Sequence, residues 1–252
     1  MMLAALEFPP ISEVIEWPAW GPLGFNKIAL ISVLATVFTL VLFFMASRKQ
    51  QLVPTGSQNL AEASVEMIER EIIMPTMGKD GLGWMPFFIA MFFFIFFGNI
   101  FEIIPGFQMP ANARMANPLF LALLAWVLFI AVGIKHQGLG GYLKNTLFPP
   151  GVPKALYILV TPIEFISTFL VRPFSLAVRL FANMLAGHLL LVTFAVLTAA
   201  LWTKSPIVIV APFSFLMLVG LTAFEILVSV LQAYVFSILT AVYIAGAMHP
   251  EH

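Results

Sequence analysis

The sequence predicts an all-α integral membrane protein with about five transmembrane helices and one amphipathic surface helix. Of the 252 residues, 61% are hydrophobic and only 10% are charged, a composition that does not fit a soluble protein. Mean hydropathy is +1.02. Five apolar stretches are each long enough to cross the roughly 30 Å hydrocarbon core of a bilayer. We therefore treat residues 1–252 as a single membrane domain.

Composition also excludes several function classes. Twelve basic and twelve acidic residues give a net charge of zero, and no basic patch predicts a nucleic-acid partner. Cysteine is absent, which excludes disulfides and thiolate nucleophiles. The four histidines are not spaced as metal ligands, so neither a metal nor a cofactor is expected.

The first part of the chain predicts a tail, a span and a surface helix. Residues 1–27 contain prolines and tryptophans that interrupt any apolar run, and we expect them to form an external N-terminal tail. Residues 28–46 form the first span, which stops at the basic residues Arg48 and Lys49. Residues 57–74 carry glutamates on one helical stripe and aliphatic residues on another, which predicts an amphipathic helix at the membrane surface.

The middle of the chain predicts a helical hairpin. Residues 84–104 form a second span that is rich in phenylalanine and is ended by Pro105 and Gly106. Residues 118–134 form a third span, and a loop is expected from residue 142 to residue 153.

The last two apolar segments are unusually long. Residues 155–203 and 205–248 would each measure well over twice the hydrocarbon thickness as straight upright helices. We expect a hairpin whose helices are strongly tilted, extend beyond the core, or bend. The candidate bending points are Pro162, Pro173, Pro212 and Gly220.

Basic residues predict the orientation of the five spans. With the N-terminus outside and the C-terminus in the cytoplasm, seven basic residues fall in cytoplasmic loops and three fall outside. The cytoplasmic set is Arg48, Lys49, Arg70, Lys79, Lys135, Lys144 and Lys154, and the external set is Lys27, Arg114 and Lys204. The excess of basic residues in cytoplasmic loops favours this orientation.

The first long segment carries polar groups that are expensive to keep in a membrane. An arginine at the bilayer centre costs at least roughly 2.5–3.5 kcal/mol, so Arg179 predicts a functional site. Arg172 and Asn183 lie on the same helical face, and Arg172 is equally well explained by snorkelling to the lipid headgroups. His188 lies nine residues beyond Arg179, on nearly the opposite face.

The last segment supplies a partner for His188. Glu225 is the only charged residue between residues 205 and 248, and Gln232 follows on the same helical face. In an antiparallel hairpin His188 and Glu225 reach similar depth, where an imidazole and a carboxyl group form a short proton relay. Simpler structural roles stay open for each of these three polar groups: a helix-packing hydrogen bond, a neutral carboxyl bonded to a backbone carbonyl, and interhelical adhesion.

The run RLFANMLAGH, residues 179–188, together with Glu225 and Gln232, resembles subunit a of the F-type ATP synthase. The final residues, TAVYIAGAMHPEH, are also similar to that family's C-terminus. Many bacterial members carry Glu at the position of His188 and His at that of Glu225, so this chain resembles the alphaproteobacterial and mitochondrial type. The resemblance implies a protein of the bacterial inner membrane.

The resemblance also implies a mechanism and partners. The family's stationary membrane subunit passes protons through two half-channels to and from a carboxyl group on the rotating c-subunit ring, and Arg179 stands where the family's arginine faces that carboxyl group. The implied partners are the c ring, the peripheral stalk of subunit b, the rest of the complex and membrane lipids. The chain would not be an enzyme by itself. Supporting residues are expected at Asn183, Gln232, Arg172 and Glu164.

Two other function classes compete with this interpretation. A stand-alone proton-coupled transporter or channel would use Arg179 to bind an anionic substrate and Glu225 to carry the coupling proton. A membrane enzyme is the weakest alternative, because the sequence shows no nucleophile with its base, no metal spacing and no phosphate loop.

Overall fold

A computed structural model describes residues 25–48, 51–104, 107, 109–148, 152–202 and 206–248. Within these ranges the chain is almost entirely helical and forms no extended β-strand. Five of the helical stretches are long and apolar enough to cross a membrane. The predicted all-α membrane fold is thus confirmed, whereas the predicted tail over residues 1–27 lies almost wholly outside the described residues.

The first spanning helix, α1, covers Lys27–Arg48. Its start is fixed by Asn26, whose side-chain oxygen accepts a hydrogen bond of 3.0 Å from the backbone N–H of Ala29. At its other end the Arg48 guanidinium lies 4.6 Å from the centre of the Phe44 ring.

The second helix, α2, covers Ser57–Ile68 and is amphipathic, as its sequence pattern predicts. Ala61 and Ile68 are buried, whereas Glu62 and Glu66 are exposed. Because α2 packs against α1, its apolar stripe is covered by protein and its acidic stripe is left free.

Two π-helical turns interrupt the helices, and each ends two residues before a proline. The turn Glu69–Ile73 leads to Pro75, and the turn Ser167–Val171 leads to Pro173. A proline lacks the N–H that would bond the carbonyl four residues earlier, and its ring clashes with that carbonyl. The wider π turn relieves this conflict, so the chain remains helical through both prolines.

The second spanning helix, α3, covers Met85–Ile100 and is preceded by the 3₁₀ turn Gly78–Trp84. Helix α3 ends at Ile100, four residues before the predicted end of the span at residue 104. After α3 the N–H of Glu102 donates to the Asn99 carbonyl over 3.0 Å, an i to i−3 bond that tightens the chain into a turn. Glu102 therefore lies just beyond the helix.

The third spanning helix, α4, covers Ala116–Leu147, so the loop predicted from residue 142 is wrong: residues 142–147 are helical. Gly138, with φ of 72°, is the one non-helical residue inside it. The Tyr142 ring occupies the space that a side chain on Gly133 would need. Nine residues of straight helix span about 13 Å, so this contact requires the chain to fold back at Gly138.

The fold-back of α4 is attached to the end of the last helix. The Gln137 amide donates to the Ala247 carbonyl over 2.8 Å, and the Asn145 amide donates to the Gln137 side-chain oxygen over 2.9 Å. Side-chain hydrogen bonds of this kind leave no trace in the hydropathy pattern, which explains why the pattern predicted an ordinary loop.

The last two segments form the predicted hairpin. The first contains α5, Tyr157–Ile166, and α6, Arg172–Leu201, joined by the second π turn. The second contains α7, Ala211–Met248, after the 3₁₀ turn Pro206–Val210. Helix α7 packs against α3, α4 and α6. Residues 203–205, between the two segments, are not described, and next to them the Thr198 and Ser214 hydroxyls are hydrogen-bonded over 2.8 Å.

Candidate functional site

Helix α6 presents two chemically different faces. Arg179 is exposed, and Asn183, one turn later, is exposed on the same face. His188 is buried, with only 4% of its surface accessible. Since nine residues turn an α-helix by about 900°, the guanidinium and the imidazole leave the helix in nearly opposite directions. The structure thus separates the two groups that the sequence singled out.

On the buried side His188 meets a residue that sequence reasoning missed. Its Nδ1 lies 3.5 Å from Oε1 of Glu102, and the two side chains are 5% and 1% exposed. Glu102 comes from the turn after α3, so the pair joins distant parts of the chain. The sequence signal was a lone glutamate at the end of a very apolar span, close to Asn99.

Glu225 reaches the same place from α7. It is 3% exposed, and its carboxyl group fills the space that a side chain on Gly187 would occupy. Gly187 directly precedes His188, so the Glu225 carboxyl group packs beside the residue that contacts Glu102. Among the described residues Oε2 of Glu225 has no hydrogen-bond partner. Three titratable side chains, Glu102, His188 and Glu225, therefore gather between α3, α6 and α7, and we call them the acid–imidazole cluster.

A pair of buried amides lies beside this cluster. The Asn112 side chain donates to the Asn99 side-chain oxygen over 2.7 Å, and both residues are fully buried. Asn99 precedes Glu102 by three residues, and Asn112 belongs to the connection between α3 and α4. Within the described residues, the Asn99 nitrogen, the Asn112 oxygen and both Glu102 oxygens have no hydrogen-bond partner. Buried polar groups of this kind are usually satisfied by water.

The other predicted site residues lie outside the cluster. The Arg172 guanidinium lies 5.2 Å from the centre of the Tyr243 ring on α7. Gln232 is buried two turns beyond Glu225 on α7. Glu164, on α5, precedes His188 by 24 residues of nearly continuous helix, which separates it from the cluster by more than about 30 Å.

The chemistry open to this arrangement is acid–base chemistry. Two carboxyl groups and one imidazole can pass a proton between them, because each binds and releases protons near physiological pH in a suitable environment. In the described part of the chain, no three His, Asp or Glu side chains are grouped as metal ligands. On the opposite face of α6, no carboxylate among the described residues pairs with Arg179.

The fold and the site define a class: an all-α integral membrane protein with buried ionisable side chains, as in membrane proteins that move ions. Comparison with known proteins defines it further. The family model described as "ATP synthase A chain" matches residues 29–245, and the chain belongs to that family.

Named relatives support the assignment over nearly the full length. ATP synthase subunit a of Frankia alni is 41% identical over 252 residues, covering 96% of this chain and 87% of the relative. The subunit a of Rhodococcus erythropolis is 43% identical, covering 92% and 85%. That of Maricaulis maris is 40% identical, covering 96% of both chains.

The resemblance predicted from the RLFANMLAGH run is therefore confirmed. Family membership makes the chain a non-catalytic membrane subunit of the ATP synthase complex, and it favours this interpretation over a stand-alone transporter or a membrane enzyme.

Proposed function

We propose that the chain is the stator subunit that carries protons through two half-channels to and from the carboxyl group of a rotating c-subunit ring. The observation that carries the proposal is the division of α6: Arg179 is exposed on one face, and His188 lies on the other within the acid–imidazole cluster. One helix thereby separates a fixed cation from a set of titratable groups.

The exposed face fits a partner that brings a carboxyl group. Arg179 lies two turns into the apolar helix α6 and pairs with no carboxylate in the described part of the chain. Leaving it against lipid would cost at least roughly 2.5–3.5 kcal/mol. A carboxylate on a neighbouring c subunit would offset that cost, because a guanidinium binds a carboxylate through two parallel hydrogen bonds.

Arg179 would also impose direction on the proton. A guanidinium favours the ionised form of a nearby carboxyl group, so each arriving c-subunit carboxyl group releases its proton there. Away from Arg179, in hydrocarbon, the same group is more stable when it is protonated. The ring can then turn only by giving a proton to one half-channel and taking one from the other, which prevents a short circuit.

The buried face fits one of the half-channels. The Asn112 amide, in the connection after α3, is hydrogen-bonded to Asn99, which lies one turn before Glu102. These amides and the acid–imidazole cluster would form one continuous polar path. Their unpaired polar atoms would be satisfied by water, and a line of water and titratable groups conducts protons. Outside the cluster, Asn183 would support Arg179 on the exposed face of α6, and Arg172 and Gln232 would support the packing of α6 and α7. No described contact links Glu164 to the cluster.

The partners follow from the complex. We propose that the exposed face of α6 contacts the c ring, and that the peripheral stalk of subunit b and membrane lipids cover other surfaces. The chain would lie in the bacterial inner membrane.

Orientation in the membrane is testable with reporters. Because basic residues are in excess on one side, a reporter fused after residue 252 should lie in the cytoplasm, and one inserted between residues 105 and 117 should lie outside. Activity of alkaline phosphatase and fluorescence of a cytoplasmic reporter measure the two positions. The reverse pattern would contradict the N-out, C-in orientation.

The relay is testable by exchanging its members. Glu225→Gln should slow passive proton conduction strongly, and so should either single exchange, His188→Glu or Glu225→His. The double exchange keeps one imidazole and one carboxyl group at the same two places, so it should conduct better than either single variant. The measurement is proton flux through vesicles stripped of the soluble ATPase. Losses that simply add would mean that the two residues act separately.

A further inference from the structure

Gly187 on α6 differs from the two glycines of α7 in what surrounds it. A Cβ atom added at Gly187 would overlap the carboxyl group of Glu225 and would lie 2.5 Å from its Cδ atom. A Cβ added at Gly220 or Gly246, both on α7, would meet no atom within 4 Å. The carboxyl group of Glu225 therefore packs directly against the backbone of α6, at a place that only glycine leaves open.

We propose that Gly187 is a positioning residue, whose missing side chain lets the Glu225 carboxyl group sit against α6 next to His188. The proposal rests on the proposed function, since it concerns where the relay holds its carboxyl group. The imidazole of His188 contacts Glu102, whose Oε1 atom lies 3.5 Å from Nδ1. The distance from the Glu225 carboxyl group to His188 and Glu102 then depends on how closely the Glu225 side chain approaches the α6 backbone.

The geometry sets the size of the expected displacement. Carbon atoms in contact lie about 3.5–4.0 Å apart, so a methyl group at residue 187 would move the Glu225 Cδ atom away by at least about 1 Å. Proton transfer requires donor and acceptor within about 2.6–3.2 Å or one bridging water. A misplacement of about 1 Å in a reacting group can reduce a rate about 10²-fold.

The geometry also indicates that such a variant folds. The atoms that collide are the end of a flexible side chain, which can rotate away, and no backbone atom lies among the three nearest neighbours of the added Cβ. Alanine is moreover the better helix former. The substitution should displace the carboxyl group and leave the packing of α6 and α7 intact.

The test compares Gly187→Ala with a rescue and a matched control. Gly187→Ala should lower passive proton conduction of the stripped complex at least about tenfold, with normal co-purification of the c ring. Adding Glu225→Asp, whose side chain is one methylene shorter, should raise conduction above that of Gly187→Ala, because the carboxyl group then has room beside the new methyl group. Gly246→Ala, in open space, should conduct like the wild type.

Three results would overturn the proposal: wild-type conduction by Gly187→Ala, no gain on adding Glu225→Asp, or failure of Gly187→Ala to assemble. Failure to assemble would overturn the proposal because it would show that the added methyl group disturbs the packing of α6 against α7, and not only the position of the Glu225 carboxyl group. Glu225→Gln separates this outcome from the function itself. If Glu225→Gln conducts normally, the relay is wrong at Glu225; if it fails while Gly187→Ala conducts normally, only the positioning role is lost.

Discussion

Replacing Arg179 with alanine should abolish proton-driven ATP synthesis while the complex still assembles. The substitution removes the exposed guanidinium that we expect to take the proton from each arriving c-subunit carboxyl group. Loss of a charge from an apolar helix makes insertion no harder, so assembly should persist. The measurement is ATP synthesis by sealed vesicles under an imposed proton gradient, with the subunit content of the purified complex checked in parallel.

Two further variants sharpen this test. Arg179→Lys should fail or nearly fail, because an ammonium is a point charge without the planar fork and is readily neutralised when it is desolvated. Arg48→Gln, at the exposed end of α1, is the matched loss of an arginine and should keep synthesis. Synthesis at the wild-type rate by Arg179→Ala would remove Arg179 from the mechanism.

Glu102→Gln should have the second largest effect. It replaces the carboxyl group 3.5 Å from the His188 imidazole by an amide of the same size, which keeps the packing but can no longer carry a proton. We expect passive proton conduction to fall by about 10²-fold, the lower end of what a positioned acid or base contributes. Proton flux into stripped vesicles measures the change.

The control for Glu102 is an acidic residue of α2. Glu66 forms an exposed ion pair with Arg70 over 2.7 Å, and such pairs contribute at most about 1 kcal/mol. Glu66→Gln should therefore conduct like the wild type. Equal behaviour of the two variants would show that Glu102 only fills space beside His188.

Much of the fold was predictable because a bilayer allows few solutions. Backbone groups in hydrocarbon must bond within helices, so apolar runs alone gave the five spans and the all-α class. Arg179, His188 and Glu225 stood out for the complementary reason: an ionisable residue in such a run is costly enough to need an explanation. Helical spacing then placed Arg179 and His188 on opposite faces, as the structure shows.

The features that were missed depend on contacts between distant segments. Glu102 lies at the boundary of a span, where a glutamate is ordinary, and only the approach of His188 from α6 makes it part of a cluster. Gly138 likewise sits in a glycine-rich stretch that fits either a loop or a fold-back. Two contacts favour the fold-back over a loop: the Tyr142 ring packs on Gly133, and Gln137 is hydrogen-bonded to Ala247. Neither contact has a local sequence signature.

The π turn at Ser167–Val171 sets the angular phase of everything that follows it. A π turn holds about one residue more than an α turn, so the helix beyond it is rotated by about 100° relative to an uninterrupted α-helix. Arg179 and His188 both lie downstream and rotate together, which keeps their mutual angle. The direction in which the Arg179 guanidinium leaves the helix, relative to α5, is thus set by five residues that contain no ionisable group. These residues end about two turns before Arg179.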